Sequence, residues 1–203
     1  MTMPGTVDIA ARDRAYDGFF KMDVFKLRFE LFRGGMSPEI EREVLIGNQS
    51  ICCLPFDPFR NEVVLVEQFR AAAYAAGEEH PWMLEAPAGF IEPGEEKNAA
   101  AIREAHEETG CTVTELDYGG PLYSSQGAFS ERTNLFIGKT STDGLGGIHG
   151  IESEGENIRV AVFPFDEAVA LFNEGKIQSA FGALPLLWLL RHRERLLREW
   201  GAP

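Results

Sequence analysis

Seven residues between positions 89 and 110 have types and spacings that suit the binding of a divalent cation. They are, in order, Gly89, Glu95, Arg103, Glu104, Glu107, Glu108 and Gly110. Residues three and four apart share one face of a helix, so Glu104, Glu107 and Glu108 would place their carboxylates side by side. These charges repel unless a cation compensates them, and Mg²⁺ typically uses a few carboxylates together with substrate phosphates. We therefore expect a cation at this helix face, with Ala99 and Ile102 available to pack inward.

The whole segment reads Gly-x5-Glu-x7-Arg-Glu-Ala-x-Glu-Glu-x-Gly-Cys and resembles the Nudix box at every position, with Ala105 and Cys111 in its two apolar slots. The resemblance implies the α/β (α+β) class and, within it, a Nudix α/β/α sandwich with a mixed sheet. It also implies hydrolysis of a pyrophosphate bond with Mg²⁺, or Mn²⁺ as an alternative, bound as roughly two or three ions per site.

The same resemblance assigns a role to each polar residue of the box. The implied metal ligands are the carboxylates of Glu104, Glu107 and Glu108 and the backbone carbonyl of Ala88. Glu104 and Glu108 would be the principal ligands and would serve catalysis through the metal. Glu95 and Arg103 would form a structural ion pair.

Motifs outside the box resemble the ADP-ribose diphosphatase branch of the family. They include Phe19-Phe20, Arg42-Glu43, Glu67-Gln68-Phe69-Arg70, Trp82-x-Leu84-Glu85, Ser130-Glu131-Arg132, Gly147-Ile148-His149-Gly150 and Glu154-x-Glu156-x-Ile158. This branch hydrolyses ADP-ribose to AMP and ribose 5-phosphate and forms a homodimer by exchanging its N-terminal hairpin. The resemblance therefore implies a nucleoside diphosphate sugar as substrate and a second copy of this chain as partner.

Four residues of these motifs are implied substrate contacts. Phe19 and Arg42 would flank the adenine, Arg70 would bind a phosphate, and Glu131 would contact the terminal ribose region. Arg70 has direct physical support, because an arginine after an apolar strand can reach a phosphate with two donors in a geometry that lysine lacks. The alternatives are that Phe19 belongs to the core and that Arg42 and Glu131 are solvated strand residues.

The glycine-rich segment 140–157 has no usable periodicity and is expected to be a long functional loop. It contains Glu152, Glu154 and Glu156, and the family pattern singles out Glu154 as the general base. Glycines in the segment would be hinges that let it close over the metals. Glu152 and Glu156 stay open as alternative bases.

One position departs from the branch pattern, which has Ser-Pro-Gly where this chain has Ser125-Gln126-Gly127. Gln126 lacks the fixed φ of proline and adds hydrogen-bonding groups, so the loop could prefer a different sugar. Hydrolysis of another nucleoside diphosphate sugar, such as GDP-mannose, is therefore an alternative. A third alternative is a sensing module without catalysis. Loss of a metal-binding glutamate would favour that module, and none is lost.

An N-terminal subdomain is predicted from the hydrophobic period. Apolar residues alternate with charged ones from Phe25 to Leu31, which indicates an antiparallel hairpin over about residues 15–46. The expected domains are an N-terminal β subdomain at 1–47, for dimerisation and contacts to the base, and a Nudix domain at 48–203.

The remaining elements are predicted from the same kind of pattern. Strands are expected at 51–56, 62–69, 82–86, 133–137 and 158–163, separated by turn signals such as Gly119-Gly120-Pro121. Helices are expected at about 95–109, 166–174 and 182–198. This order favours helices packed on a sheet.

Composition excludes some classes of partner. The net charge of −13 argues against nucleic-acid binding, which depends on Lys and Arg. The apolar stretch 181–190 is too short for a membrane span, and no export signal is visible at the N-terminus, so we expect no membrane partner and a cytoplasmic location. The three cysteines lack metal-ligand spacing and are expected to be reduced core residues.

Overall fold

The computed structural model describes residues 4–151, 153 and 155–201. The strands are β1 (Val7–Asp17), β2 (Lys21–Phe29), β3 (Ile40–Ile46), β4 (Gln49–Asp57), β5 (Glu62–Phe69), β6 (Trp82–Glu85), β7 (Ala88–Phe90), β8 (Glu115–Tyr123), β9 (Arg132–Lys139), β10 (Gly147–His149) and β11 (Ile158–Pro164). The helices are α1 (Ala71–Ala75), α2 (Lys97–Thr109), α3 (Phe165–Asn173) and α4 (Ala180–Glu199). The chain divides into two compact units, Met1–Asn48 with Tyr123–Arg132, and Gln49–Leu122 with Thr133–Pro203.

The first unit contains a three-stranded antiparallel sheet in the order β1-β2-β3. The predicted hairpin is present as β2 and β3, in which Lys21 pairs with Ile46 and Leu27 with Ile40. Strand β1 extends this hairpin on the other side of β2 and is an addition to the prediction. The domain boundary after residue 47 stays a prediction.

The second unit is built on a sheet in the order β10-β11-β5-β4-β9-β8. β4 and β5 pair antiparallel beside their connecting turn. Farther from the turn, β6 pairs with β5, with Glu85 opposite Val66, and β7 pairs with β4, with Ala88 opposite Cys52. The two short strands therefore place Glu85 and Ala88 beside the two central strands of the sheet.

Strand β4 is buried on both of its faces, which gives the second unit three layers. Ile51 and Cys53 belong to a core cluster with Ala101 of α2. Leu54 belongs to another cluster, with Leu189 of α4. Successive side chains of a strand point to opposite faces, so α2 covers one face of the sheet while α3 and α4 cover the other. The predicted α/β sandwich is confirmed.

Two predictions about irregular structure are wrong. The turn expected at Gly119-Gly120-Pro121 lies inside β8, which is an edge strand, the kind of strand in which proline is tolerated. The segment 140–157, expected to lack regular structure, contains β10, which pairs antiparallel with β11.

Helix α4 is capped at its N-terminus by Ser179, whose hydroxyl accepts a hydrogen bond from the Phe181 N–H at 3.2 Å. Pro185 lies inside this helix and has no N–H to donate to the Phe181 carbonyl. That carbonyl instead accepts from the Ala86 N–H at 3.1 Å, which ties the start of α4 to the end of β6. No helix in the described part of the chain is long and apolar enough to cross a bilayer.

Candidate active site

Helix α2 carries the acidic residues of the box and packs through small side chains. It ends at Gly110, whose φ of 71° is the left-handed conformation that glycine adopts readily. Its buried residues are Ala100, Ala101, Ala105, Glu108 and Thr109. The expectation that Ala99 and Ile102 pack inward is wrong, because both are exposed. The alanines allow α2 to lie close to the sheet, so its acidic face and its buried face overlap at Glu108.

Arg103 organises the carboxylates at the outer edge of this helix. Its Nε donates to Glu95 Oε1 at 2.9 Å and its Nη2 to Glu95 Oε2 at 2.9 Å, so the predicted ion pair is present. Its Nη1 donates to Glu104 Oε1 at 2.8 Å and to Glu107 Oε2 at 3.0 Å. The guanidinium, together with the Glu92 N–H, lowers the pKa of Glu95 to about 2.

Glu108 is the most buried carboxylate of the box, with 4% of the residue exposed. Its Oε2 accepts a hydrogen bond from the Ala88 N–H at 3.2 Å. Burial, followed by the negative charge of Glu104, raises the pKa of Glu108 to about 8, and Arg70 opposes this shift. Burial therefore favours the protonated form of Glu108 over the charged form.

Glu104 lies against the backbone of the short strand β7. A Cβ added at Gly89 would overlap the Glu104 carboxylate, so the glycine is needed for this close approach. Burial raises the pKa of Glu104 even though Arg103 donates to it. The packing of Glu104 against β7 thus explains why the box begins with glycine at position 89, which the spacing of the motif does not explain.

The chemistry of these donors fits a hard divalent cation. Within the described residues, no three His, Cys, Asp or Glu side chains are arranged to hold a metal ion as they stand. Arg103 binds an oxygen of Glu104 and of Glu107, whereas Glu108 has no ion-pair partner among the described residues. A bound dication would supply the positive charge that the buried carboxyl lacks. The ligand roles of the glutamates and of Ala88 stay predictions.

Arg70, the predicted phosphate contact, lies directly after β5 and is already paired within the second unit. Its Nε donates to Glu85 Oε2 at 2.7 Å, and its Nη2 lies 2.6 Å from the same oxygen in an ion pair. The Arg70 side chain is 39% exposed and that of Glu85 6%. Because Arg70 acts on the pKa of Glu108, its charge lies close enough to the acid helix to influence the buried carboxyl.

Of the three candidate bases, Glu154 and Glu152 lie outside the described residues. Glu156 is described and half-buried, and its Oε2 accepts from the Ile151 N–H at 2.9 Å. The negative charge of Glu156 contributes to the raised pKa values of both Glu104 and Glu108. The end of the loop therefore lies near the acid helix.

The other three predicted substrate contacts belong to the first unit. Phe19 is 84% exposed and its ring packs edge-on against Phe20, with the centroids 4.9 Å apart. Arg42 is exposed on β3 and its Nη1 donates to the Glu41 carbonyl at 2.7 Å. Glu131 is 7% exposed and accepts from Ser124 Oγ at 3.2 Å. Phe19 is therefore not a core residue and Glu131 is not solvated, although their proposed roles stay predictions.

The sequence that builds this site matches a known family. Residues 48–183 match the family model of the NUDIX domain. The chain belongs to the NUDIX family. The matched range contains the complete box and all elements that position it, from β4 to the start of α4.

Related proteins resemble this NUDIX chain over nearly its whole length. The ADP-ribose pyrophosphatase of Escherichia coli is 42% identical, with 96% of this chain and 93% of that protein covered. The ADP-ribose pyrophosphatase of Haemophilus influenzae is 35% identical over 96% and 90%. The GDP-mannose pyrophosphatase of Pectobacterium atrosepticum is 30% identical over 98% and 99%. A crystal structure of an ADP compounds hydrolase has a TM-score of 0.71 at 19% identity, covers 98% of each chain and has the same fold.

One residue of this NUDIX site was not predicted as functional. Glu85 belongs to the motif Trp82-x-Leu84-Glu85, and its pairing with Arg70 is an addition to the sequence prediction. Glu85 lies opposite Val66 of β5, whereas Arg70 lies beside Pro81, so the Arg70 side chain extends back along the strand pair to reach Glu85. A signal was present in the sequence, since a lone glutamate at the end of an apolar strand needs a buried partner.

Proposed function

We propose that this NUDIX chain hydrolyses the pyrophosphate bond of ADP-ribose to AMP and ribose 5-phosphate with Mg²⁺. The observation that carries the proposal is the complete acid helix in a chain that is 42% identical, over 96% of its length, to an ADP-ribose pyrophosphatase. The burial of Glu108 supports a role in metal binding, because an unpaired buried carboxyl is costly without a functional partner.

The residues of the box would hold the metal and orient the diphosphate. Glu104, Glu107, Glu108 and the Ala88 carbonyl would be its ligands. Mg²⁺ held by these residues would supply positive charge to the diphosphate oxygens and lower the pKa of a water bound to it. Arg70 would donate to a phosphate oxygen from the same side of the sheet, since its charge already acts on Glu108.

Glu154 would be the general base that takes a proton from the attacking water. We expect Glu154→Gln to keep the fold and to lower kcat by about 10²- to 10⁴-fold, the usual range for the loss of a general base. Near-normal turnover in this variant would move the role to Glu152 or to Glu156, which are then tested by the same substitution.

The first unit would supply the contacts to the nucleoside and the terminal sugar. Phe19 and Arg42 would bind the adenine, and Glu131 would bind near the terminal ribose. The sheet would also exchange between two copies in a homodimer, an idea supported by exposed apolar residues such as Val7 at 57% and Phe32 at 94%. The buried free thiols suit a reducing cytoplasmic location.

Hydrolysis of GDP-mannose is the second candidate, favoured by the 30% identity to a GDP-mannose pyrophosphatase over 98% of this chain. Gln126, in place of proline, supports the same alternative, because the loop that contains it is exposed. ADP-ribose is the preferred substrate in this proposal, because the ADP-ribose pyrophosphatases are more similar to this chain, at 42% and 35% identity.

The deciding experiment compares kcat/KM for ADP-ribose, GDP-mannose, ADP-glucose and NADH in the presence of Mg²⁺. ADP-ribose is expected to give the highest value. A higher value for GDP-mannose would replace the substrate while keeping the reaction. No turnover of any of the four by folded protein would favour a sensing module instead.

A further inference from the structure

Glu85 is a buried carboxylate whose two oxygens both have partners. Oε2 accepts a hydrogen bond from Arg70 Nε at 2.7 Å and lies 2.6 Å from Arg70 Nη2 in the same ion pair. Oε1 accepts from the hydroxyl of Ser179 at 2.5 Å. Glu85 thus links Arg70, the predicted phosphate contact after β5, to Ser179, the residue that precedes α4.

The hydroxyl of Ser179 is fixed in place by two hydrogen bonds. Its hydroxyl donates to Glu85 while it accepts from the Phe181 N–H at 3.2 Å, so both hydrogen-bonding functions of the hydroxyl are used. The Ala86 N–H donates to the Phe181 carbonyl at 3.1 Å. A Cβ added at Gly182 would lie 2.6 Å from the Leu84 carbonyl oxygen, so α4 is in close contact with β6.

Arg70 keeps donors for a ligand while its orientation is fixed. A guanidinium has five N–H donors, and Glu85 contacts only Nε and Nη2, which leaves both donors of Nη1 for a ligand. Among the described residues, no acceptor contacts Nη1. The backbone is also fixed, since the Arg70 N–H donates to the Pro81 carbonyl at 2.9 Å and its carbonyl accepts from the Tyr74 N–H at 3.1 Å.

We propose that Glu85 is a positioning residue that fixes the guanidinium of Arg70 for a substrate phosphate, and that Ser179 fixes Glu85 in turn. This inference rests on the proposed function, in which Arg70 binds the diphosphate. A free arginine side chain loses much rotamer freedom when it binds a ligand, and orienting it beforehand avoids that loss. A buried carboxylate is a costly way to finish an apolar strand, so the pairing needs a reason beyond packing.

The test measures kcat and KM for ADP-ribose and, separately, the calorimetric Kd of α,β-methylene-ADP, a diphosphate that is not hydrolysed at its bridge. Glu85→Gln keeps the shape but removes the charge, and we expect KM and Kd to rise by roughly tenfold. Ser179→Ala should raise both by about threefold, and Ser179→Thr, which keeps the hydroxyl, should restore them.

The matched control is Asp117→Asn, which breaks another arginine–carboxylate pair of the second unit. Asp117 Oδ1 accepts from Arg195 Nη2 at 2.8 Å, and the Asp117 side chain is 15% exposed. This pair joins β8 to the C-terminal half of α4 and has no contact with Arg70 or Glu85. Asp117→Asn is therefore expected to leave KM and Kd unchanged within about twofold.

The variants also separate positioning from a structural role. In the background of Arg70→Ala, Glu85→Gln should have no further effect on Kd, because its effect acts through Arg70. An unchanged Kd in folded Glu85→Gln, or an equal effect in both backgrounds, would overturn the inference. If Glu85→Gln does not fold, the Ser179→Ala and Ser179→Thr pair decides.

Failure of the proposed function has a different signature. If the wild type binds α,β-methylene-ADP but does not hydrolyse ADP-ribose, the proposed substrate is wrong and the Kd series still decides the role of Glu85. If the wild type binds no diphosphate, the proposed function and the positioning role are both overturned.

Discussion

Glu108 makes the stability of the metal-free protein depend on pH in a direction that can be stated in advance. Its pKa is about 8 in the fold and 4.5 in the reference state, because burial disfavours the charge. Between these values the folded state holds a proton that the unfolded state has lost. The free energy of unfolding therefore falls as pH rises from 4.5 to 8.

The size of the effect follows from the same two values. Each pKa unit corresponds to about 1.4 kcal/mol, so the penalty reaches roughly 3 kcal/mol at pH 7 and at most about 5 kcal/mol above pH 8. Glutamine resembles the protonated carboxyl and can still accept from the Ala88 N–H. Glu108→Gln should therefore stabilise the metal-free protein at pH 7 and raise its Tm by roughly 6–12 °C, while removing the metal-dependent activity.

The assay is thermal and urea unfolding in EDTA from pH 5 to pH 8.5. The wild type and Glu108→Gln should be about equally stable near pH 5 and should diverge as pH rises. Mg²⁺ should stabilise the wild type and not the variant. Glu107→Gln, on the exposed side of the same helix, is the control and should keep most of the wild-type pH slope, because the Glu107 charge acts on Glu104. A constant difference between the wild type and Glu108→Gln at all pH values would refute the reasoning.

Three further predictions concern the framework of the second unit. Gly182→Ala should lower stability by about 1–3 kcal/mol in urea unfolding, because the new Cβ would lie 2.6 Å from the Leu84 carbonyl oxygen; an unchanged midpoint would contradict this contact. Asp57 accepts from the N–H and hydroxyl of Thr142 at 2.9 and 3.1 Å, and Asp57→Asn should cost about 1–3 kcal/mol. Burial raises the pKa of Asp57, but backbone N–H donors outweigh this effect and lower the pKa overall. The difference in unfolding free energy between wild type and Asp57→Asn should therefore shrink as pH falls below about 4. A difference that grows in acid would exclude this account. Leu189→Ala, at a fully buried position, should cost about 2–5 kcal/mol, and a Tm within a degree of wild type would place this residue outside the core.

The strands that the sequence predicted correctly are those with one clear hydrophobic pattern. β2 alternates apolar and charged residues, and β4 and β5 are short apolar runs bounded by turn residues. β1 escaped detection because nearly all of its residues are exposed, so neither face carries an apolar period. β8 was mistaken for a turn because Gly119 and Pro121 usually break strands. At Gly119 the glycine is a packing requirement, since a Cβ there would overlap Leu135.

The chemistry of the site was easier to predict than its burial. The resemblance to the Nudix box correctly implied the family and the Glu95–Arg103 ion pair. It did not indicate that Glu108 lies on the buried face of α2. Which face is buried depends on how the alanines of the helix pack against the sheet. The pairing of Arg70 with Glu85 depends on how β6 pairs with β5 and on the direction of the Arg70 side chain, neither of which a single sequence specifies.

The most direct test of the proposed function is a ³¹P NMR time course of ADP-ribose with Mg²⁺ and the purified protein, run in parallel with Glu108→Gln. The wild type should convert the diphosphate signals into those of AMP and ribose 5-phosphate, and the variant should leave them intact. Intact diphosphate signals with folded wild-type protein, or equal conversion by Glu108→Gln, would contradict the proposed function and the role of the box.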